Sequence, residues 1–327
     1  MKKLVIPKTD LEVSVLCLGG GPHGVNPKES ERVLDYYLAA GGNFIDTANI
    51  YGKWKPGGGT SVSELFLGEY IKSRKCRDRI VLDTKGAAPQ YDTMHSPRVS
   101  RKDIIYDIND SLKNLQVDYV DLYWLHHDDE TISVEEIIDT LVDLVKEGKI
   151  RYFGCSNWNV SRIEEALAYS RRKKIPEFVG NQIMYNLAQY NQERLDKEIM
   201  FGMTDEMYEM HLKEGMAVMC YSSQAQGYFS YAGKDDFMDN TAYATPREFY
   251  ENAVSRLRLK KVLELAEKYQ CDPTQIALRF MLCKDDFPTI PIIGSGRYDE
   301  VKMSVEAMDI PLTNVEYEYL KDDDRKV

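Results

Sequence analysis

The chain has 327 residues, of which 43% are hydrophobic and 29% are charged, and its formal net charge is −11 at pH 7. This is the composition of an ordinary globular protein with enough apolar material for a large core. The negative charge argues against a nucleic-acid or anionic-membrane partner, since both require a basic face, and no run of about 18 apolar residues predicts a transmembrane helix.

Short apolar runs alternate with amphipathic stretches along the whole chain. Residues 3–6 and 12–13 flank a turn at 7–10 and predict a small hairpin. The later apolar runs predict eight strands, at 15–18, 43–46, 80–84, 119–125, 152–155, 179–182, 217–221 and 289–293. The amphipathic stretches predict helices near 28–40, 61–74, 101–115, 133–148, 159–174, 193–213, 246–283 and 297–306.

Regular alternation of strands and helices indicates a parallel sheet. Eight strands in a chain of this length favour a closed (β/α)8 TIM barrel over an open sheet, with the N-terminal hairpin closing the barrel bottom. No linker or repeat interrupts residues 1–327, so one barrel domain is expected. The irregular segments 52–60, 86–100 and 224–247 all follow strands, which places them on the C-terminal face where barrel active sites form.

Three consecutive predicted strands end in ionisable residues. Asp46 ends the second barrel strand and Tyr51 follows it five residues later, whereas Lys85 and His126 end the third and fourth strands. A phenol is a poor acid at neutral pH, but an ammonium group lowers a neighbouring phenol's pKa and a carboxylate holds that ammonium charged. With a neutral His donating to a substrate oxygen, the set can protonate a developing alkoxide. Carbonyl reduction by a hydride donor needs this chemistry.

These four residues resemble the catalytic tetrad of the aldo-keto reductases, in which an Asp is followed five residues later by a Tyr and a Lys and a His end the next strands. The resemblance extends over residues 3–320 and implies a (β/α)8 barrel that carries out NAD(P)-dependent carbonyl reduction. In that comparison Tyr51 is the proton donor, Lys85 and Asp46 tune it, and His126 orients the carbonyl group.

The resemblance also implies a cofactor site. Segment 154–158 is similar to the family's G-x-S-N pattern, so Ser156 and Asn157 are expected to bind the nicotinamide carboxamide with Gln182, while Tyr221 stacks on the ring. The other implied cofactor contacts are Gly20 beside the nicotinamide, Ser222, Gln224 and Gly227 along the pyrophosphate, and Gly294, Ser295, Arg297 and Glu300 at the adenosine end.

The sequence departs from the family pattern around the phosphates. The common Y-S-P-L segment reads Tyr-Ser-Ser-Gln at 221–224, and Gly294 and Glu300 stand where one branch has a Lys and an Arg for the adenosine 2′-phosphate. Glu300 would repel that phosphate but could accept a hydrogen bond from an unmodified ribose. Because Arg297 can supply the missing cation, NADP is the expected cofactor, with NAD as the alternative.

Substrate contacts are expected from His126 and from aromatic residues in the rim loops, Trp54 and Tyr228. Trp54 lies in an insertion after Tyr51 and either contacts substrate or packs on a neighbouring loop. The aromatic residues do not decide which small-molecule carbonyl compound is bound. Asp83 shares strand parity with Lys85, which predicts an inward side chain one layer below that pairs with Lys85 or tunes it.

Two other functions are possible interpretations of the same sequence. Channel-associated members of the family keep a cofactor site, so a cofactor-binding regulatory subunit is the main alternative, although the complete tetrad favours an enzyme. A third interpretation, a metal-dependent sugar isomerase, is disfavoured because the sequence lacks a suitable ligand set: the adjacent strand residues His126 and His127 should point in opposite directions.

The six cysteines have no paired spacing, which indicates free thiols and a cytoplasmic protein. The oligomeric state is open.

Overall fold

The computed structural model describes residues 1–53, 59–196, 200–283 and 286–321. Its eight parallel strands form a closed barrel in which each strand pairs with its sequence neighbours and the last strand pairs with the first. The barrel strands are β3 (Cys17–Gly19), β4 (Phe44–Asp46), β5 (Val81–Gly86), β6 (Val120–Leu125), β7 (Ile150–Ser156), β8 (Gly180–Met184), β9 (Ala217–Tyr221) and β10 (Thr289–Ile293). The predicted (β/α)8 barrel is therefore confirmed.

The predicted N-terminal hairpin is also present, as strands β1 (Lys3–Val5) and β2 (Glu12–Ser14), which pair antiparallel. Ile6, Leu11 and Val13 are buried in one cluster with apolar side chains of the barrel strands. The other buried members of this cluster are Cys17, Phe44, Val81, Leu122, Trp124, Val179, Ala217, Met219 and Ile290. The hairpin thus closes one end of the barrel, which leaves the opposite rim for ligands.

Helices surround the barrel in the predicted order. They are α1 (Pro27–Ala39), α2 (Val62–Arg74), α3 (Arg101–Leu115), α4 (Val134–Lys146), α5 (Val160–Lys173), α6 (Asp205–Glu214), α7 (Tyr228–Tyr231), α8 (Ala244–Tyr250), α9 (Ala253–Tyr269), α10 (Pro273–Leu282), α11 (Tyr298–Glu306) and α12 (Asn314–Lys321). The single helix predicted at 246–283 is wrong, because Asn252 and Asp272 each cap a new helix there. None of the described helices is both long and apolar enough to span a membrane.

Glycines make room for the largest side chain inside the barrel. Trp124 is buried in β6, and its ring lies against Gly154 of β7 and Gly180 of β8. A Cβ atom added at Gly154 would lie 2.3 Å from the Trp124 ring and 2.6 Å from the main-chain oxygen of Gly180. The indole therefore fits only because these positions lack side chains.

We expect Gly154→Ala to lower the free energy of unfolding by about 1–3 kcal/mol, because overpacking a dense interior forces side chains and backbone to shift. Chemical denaturation of the variant and the wild type measures this difference. Gly296→Ala is the matched control, since the nearest atom to its added Cβ would be 3.9 Å away, and it should leave stability unchanged. Equal stability of the Gly154 variant and the wild type would contradict the tight packing of Trp124.

Candidate active site

A buried ion pair lies at the C-terminal rim of the barrel. The ammonium group of Lys85 donates to both carboxylate oxygens of Asp46, at 2.6 and 2.7 Å, and to the main-chain oxygen of Thr47 at 2.8 Å. Lys85 is 1% exposed, and Asp46 is held from its other side by the side-chain amide of Gln182 at 2.9 Å. The pairing of β4 with β5 brings the two residues together, so the site depends on barrel register.

Tyr51 and His126 lie beside this ion pair. The ammonium nitrogen of Lys85 is 4.8 Å from the centroid of the Tyr51 ring, and the Tyr51 and His126 rings meet edge-on with centroids 6.1 Å apart. Tyr51 is fixed by its main chain, whose oxygen accepts from the Ser61 hydroxyl at 2.9 Å. The structure thus brings together all four residues of the predicted tetrad.

The protein environment sets the charges of this group. Burial raises the pKa of Tyr51, and although Lys85 lowers it, the net pKa is above the ordinary value, so the phenol keeps its proton at neutral pH. Burial lowers the pKa of Lys85, but Asp46, Tyr51 and Asp83 together outweigh burial and the net pKa is raised. Burial, His127 and Lys85 together hold the pKa of His126 well below its usual value. The site therefore combines a protonated phenol, an ammonium ion and a neutral imidazole.

His127 does not point away from His126 as predicted. Their rings stack with centroids 5.1 Å apart and an interplanar angle of 22°. The prediction was wrong because β6 ends at Leu125, so the alternation of a strand does not continue through the two histidines. Burial lowers the pKa of His127 to about 4, so its ring is neutral too. In the described part of the chain, no group of three or more His, Cys, Asp or Glu side chains is arranged to hold a metal ion.

The residues assigned to the nicotinamide form a connected set on β7 to β9. The amide nitrogen of Asn157 donates to the main-chain oxygen of His126 and to the Ser156 hydroxyl, both at 3.1 Å. The Tyr221 hydroxyl donates to the amide oxygen of Asn157 at 2.9 Å. Gln182 lies on the strand between them and contacts Asp46. These amides and hydroxyls therefore lie next to the tetrad.

A cavity of about 410 Å³ opens beside this set. Its described lining comes from the ends of β3, β9 and β10 and from α7, α10 and α11, as Gly19, Gly21, Pro22, Ser222, Ser223, Gln224, Gln226, Gly227, Ser230, Tyr231, Thr274, Ile292, Ile293, Gly294, Ser295, Glu300 and Met303. No atom of the described residues outside its immediate chain neighbours lies within 4 Å of a Cβ built at Gly21. The wall is thus open at Gly21 and includes several hydroxyl side chains.

Gln224 connects two walls of this cavity. Its amide nitrogen donates to the Ser304 hydroxyl at 2.9 Å, and its amide oxygen accepts from the Gly294 main-chain N–H at 3.2 Å. Gly20, by contrast, does not line the cavity. A Cβ there would lie 2.3 Å from the main-chain oxygen of Asp46, so this glycine allows the β3 loop to approach the tetrad.

The adenosine-end candidates differ in position. Glu300 lines the cavity, whereas the Arg297 side chain is 71% exposed and its guanidinium lies 3.8 Å from the Glu300 carboxylate. Arg297 is the residue just before α11, which begins at Tyr298. Hydroxyl groups, glycine walls and an arginine beside a helix N-terminus together fit a nicotinamide dinucleotide with its phosphates at β9 and β10.

Comparison with known sequences agrees with this geometry. Residues 16–324 match the sequence profile of the Aldo/keto reductase family.

The chain belongs to the aldo/keto reductase family.

It is 31% identical to norsolorinic acid reductase B of Aspergillus parasiticus, over 95% of this chain and 80% of that protein. It is 27% identical to the aryl-alcohol dehydrogenase (NADP(+)) of Phanerodontia chrysosporium, over 97% of this chain and 84% of that protein. It is 29% identical to the uncharacterized oxidoreductase YrpG of Bacillus subtilis, over 95% of this chain and 92% of that protein. The family and these relatives identify an oxidoreductase.

Of the two aromatic substrate contacts predicted for this aldo/keto reductase, the structure describes only Tyr228. Tyr228 is fully buried, packs edge-on against Phe229 and Phe237, and donates its hydroxyl to Glu251 at 2.9 Å. The prediction failed because α7 turns this side chain into the protein rather than towards the rim. Trp54 lies outside the described residues.

Sequence reasoning missed several residues of the cavity wall. Ser230 and Tyr231 of α7, Thr274 of α10 and Met303 of α11 all line it. These four positions are not part of the family motifs, and only the closed barrel brings their three helices to one place. Asp83 was expected to pair with Lys85 or to tune it, and the described contacts of Lys85 include no hydrogen bond to Asp83, although Asp83 raises the pKa of Lys85.

Proposed function

We propose that this aldo/keto reductase reduces a carbonyl compound (an aldehyde, ketone or sugar-derived carbonyl), with a nicotinamide cofactor as hydride donor and Tyr51 as proton donor. The observation that carries the proposal is the position of the Lys85 ammonium between the Asp46 carboxylate and the Tyr51 ring, in a buried layer at the rim. The position of neutral His126 at the edge of the Tyr51 ring supports it.

Each of these residues has one task in the proposed reaction. Neutral His126 donates to the carbonyl oxygen and orients it, and Tyr51 gives its proton to that oxygen as the oxygen becomes an alkoxide. Lys85 stabilises the phenolate that Tyr51 leaves behind, and Asp46 holds Lys85 in position. The bound reduced nicotinamide supplies the hydride for this chemistry.

The cavity and its neighbouring strands supply the proposed cofactor contacts. Fixed amides and hydroxyls beside the tetrad suit the carboxamide, because they limit the orientations that the ring can adopt. The contacts are Ser156, Asn157, Gln182 and Tyr221 for the nicotinamide, Ser222, Gln224 and Gly227 for the pyrophosphate, and Gly294, Ser295, Arg297 and Glu300 for the adenosine end.

NADP is the proposed cofactor, with Arg297 holding the 2′-phosphate. Its exposed guanidinium is free to turn from Glu300 to a phosphate, since exposed ion pairs are weak. A relative whose name includes NADP(+) supports this assignment. The negative charge of Glu300 in the cavity wall would repel a 2′-phosphate, so Arg297 and Glu300 together set the preference between NADP and NAD.

We expect Arg297→Ala to raise the Kd for NADPH by about tenfold or more. This change corresponds to the loss of the binding free energy of one hydrogen bond between charged groups. NADH binding should change by less than about twofold, because NADH has no 2′-phosphate for the guanidinium to bind. Titration of nicotinamide fluorescence measures both constants. Glu300→Gln is the control of opposite sign, since removing its charge should tighten NADPH binding. Equal weakening of both cofactors by Arg297→Ala would reject the assignment.

A panel of carbonyl compounds tests the proposed activity. Aromatic aldehydes and ketones come first, because two relatives carry the names aryl-alcohol dehydrogenase and norsolorinic acid reductase. The absorbance of the reduced nicotinamide is followed with NADPH and with NADH. Consumption that depends on the carbonyl compound supports the reductase, whereas tight cofactor binding without turnover over the whole panel would favour the regulatory subunit.

A further inference from the structure

Asp83 lies directly beneath the tetrad without the partner expected from the sequence. It is two residues before Lys85 on β5, is fully buried, and is the in-register neighbour of Asp46 on β4. The three hydrogen bonds of the Lys85 ammonium go to the two oxygens of Asp46 and to Thr47. With Asp46 and Thr47 as acceptors and Tyr51 beside it, the Lys85 ammonium forms no hydrogen bond to Asp83 among the described contacts.

Neither carboxyl oxygen of Asp83 has a hydrogen-bond partner at ordinary geometry among the described residues, and the one donor that acts on it, the Trp124 side chain, lowers its pKa less than burial and Asp46 raise it. An ionised carboxylate that is buried without donors is strongly unfavourable, whereas a protonated carboxyl group is tolerated. The geometry therefore favours the acid form of Asp83 beside an ionised Asp46.

The surrounding charges act in the same direction. Burial and the adjacent Asp46 raise the pKa of Asp83 well above its usual value, and Lys85 lowers it only in part. The other titratable groups whose pKa values Asp83 influences are Cys17 on β3, Tyr37 on α1 and Tyr51. Burial raises the pKa of all three, so at neutral pH each of them is uncharged.

We propose that Asp83 is a protonated carboxylic acid that donates its hydrogen to Asp46 and thereby acts as a positioning residue for the Asp46–Lys85–Tyr51 group. A donor on Asp46 disperses its negative charge, so that less of the Lys85 positive charge is neutralised where it faces Tyr51. The phenolate left by proton transfer is then better stabilised. This inference rests on the proposed function for the role of Tyr51.

Two variants separate a hydrogen-bond donor from simple space filling. Asp83→Leu removes the donor and keeps a side chain of similar size, whereas Asp83→Asn keeps a neutral donor for Asp46. We expect Asp83→Leu to lower kcat about tenfold, the value of one hydrogen bond, and Asp83→Asn to restore most of it. The alkaline limb of the pH profile for reduction should move to higher pH in the Leu variant only, because Asp46 then opposes ionisation of Tyr51.

Difference infrared spectroscopy reports on the proton directly. The wild-type protein at neutral pH should show the carbonyl-stretch band of a protonated carboxylic acid, and this band should be missing from Asp83→Asn. A band that persists in the Asn variant, or that is absent from the wild type, would overturn the protonation of Asp83. Unchanged kcat and an unchanged pH profile in Asp83→Leu would overturn its positioning role.

The two proposals can fail separately. If the wild-type protein reduces none of the carbonyl compounds, the proposed function fails, while the infrared band still shows whether Asp83 holds a proton. If the wild type is active and the band is absent, only the inference about Asp83 fails.

Discussion

Tyr51→Phe is expected to lower kcat for carbonyl reduction by about 10³-fold, within the range found for general acid catalysis, while the Kd of the cofactor changes little. Phenylalanine keeps the ring that meets His126 edge-on and lies near the Lys85 ammonium, so the fold of the rim should survive. Only the hydroxyl group, the proposed proton donor, is removed. Steady-state kinetics and nicotinamide fluorescence measure the two effects.

Tyr228→Phe is the matched control for this experiment. It makes the same chemical change in the core, where the hydroxyl donates to Glu251. We expect it to cost about 1 kcal/mol of stability, the value of a typical hydrogen bond, and to leave kcat unchanged. Turnover by Tyr51→Phe close to the wild-type value would show that another group protonates the alkoxide.

Lys85→Met is expected to affect both stability and activity. It leaves the Asp46 carboxylate buried without its ammonium partner, and breaking a buried pair in this way costs about 3–5 kcal/mol. It also removes the charge that stabilises the Tyr51 phenolate, so kcat should fall by at least about 10²-fold. Chemical denaturation and steady-state kinetics give the two values.

A double variant separates these two effects. Adding Asp46→Asn to Lys85→Met removes the unpaired charge, so stability should be largely restored while kcat stays low. If the double variant recovers activity together with stability, Lys85 has a structural role only. If Lys85→Met alone is as stable as the wild type, Lys85 does not compensate a buried negative charge on Asp46, which would contradict the ion pair described above.

The fold could be predicted because its signals are local and periodic. Eight apolar runs separated by amphipathic helices indicate a parallel barrel, and the helix predicted near 133–148 is α4, which Ser133 caps. The three helices at 244–282 were read as one because their apolar periodicity continues through the caps at Asn252 and Asp272. Both caps are visible in the sequence, so their side-chain chemistry was the signal to follow.

The tetrad could be predicted because each member ends, or closely follows, a strand of a closed barrel. The direction of the His127 side chain could not be predicted, because beyond the end of β6 side chains no longer alternate between two faces. Asp83 was correctly placed inside the barrel, but of the two expected roles, pairing with Lys85 or tuning it, the direct pair is not among the described contacts. The alternation of a strand predicts that the Asp83 side chain points inward. Whether it pairs with Lys85 depends on which acceptors the Lys85 ammonium group contacts, and the sequence does not show these.

A single turnover with NADPH deuterated at C4 of the nicotinamide tests the central claim most directly. An active aromatic aldehyde is mixed with the enzyme and labelled cofactor, and the alcohol is analysed by mass spectrometry. The wild-type enzyme should place one deuterium on the former carbonyl carbon, and Tyr51→Phe should form almost no alcohol in the same time. Unlabelled alcohol from the wild type, or equal alcohol from both proteins, would contradict hydride transfer assisted by Tyr51.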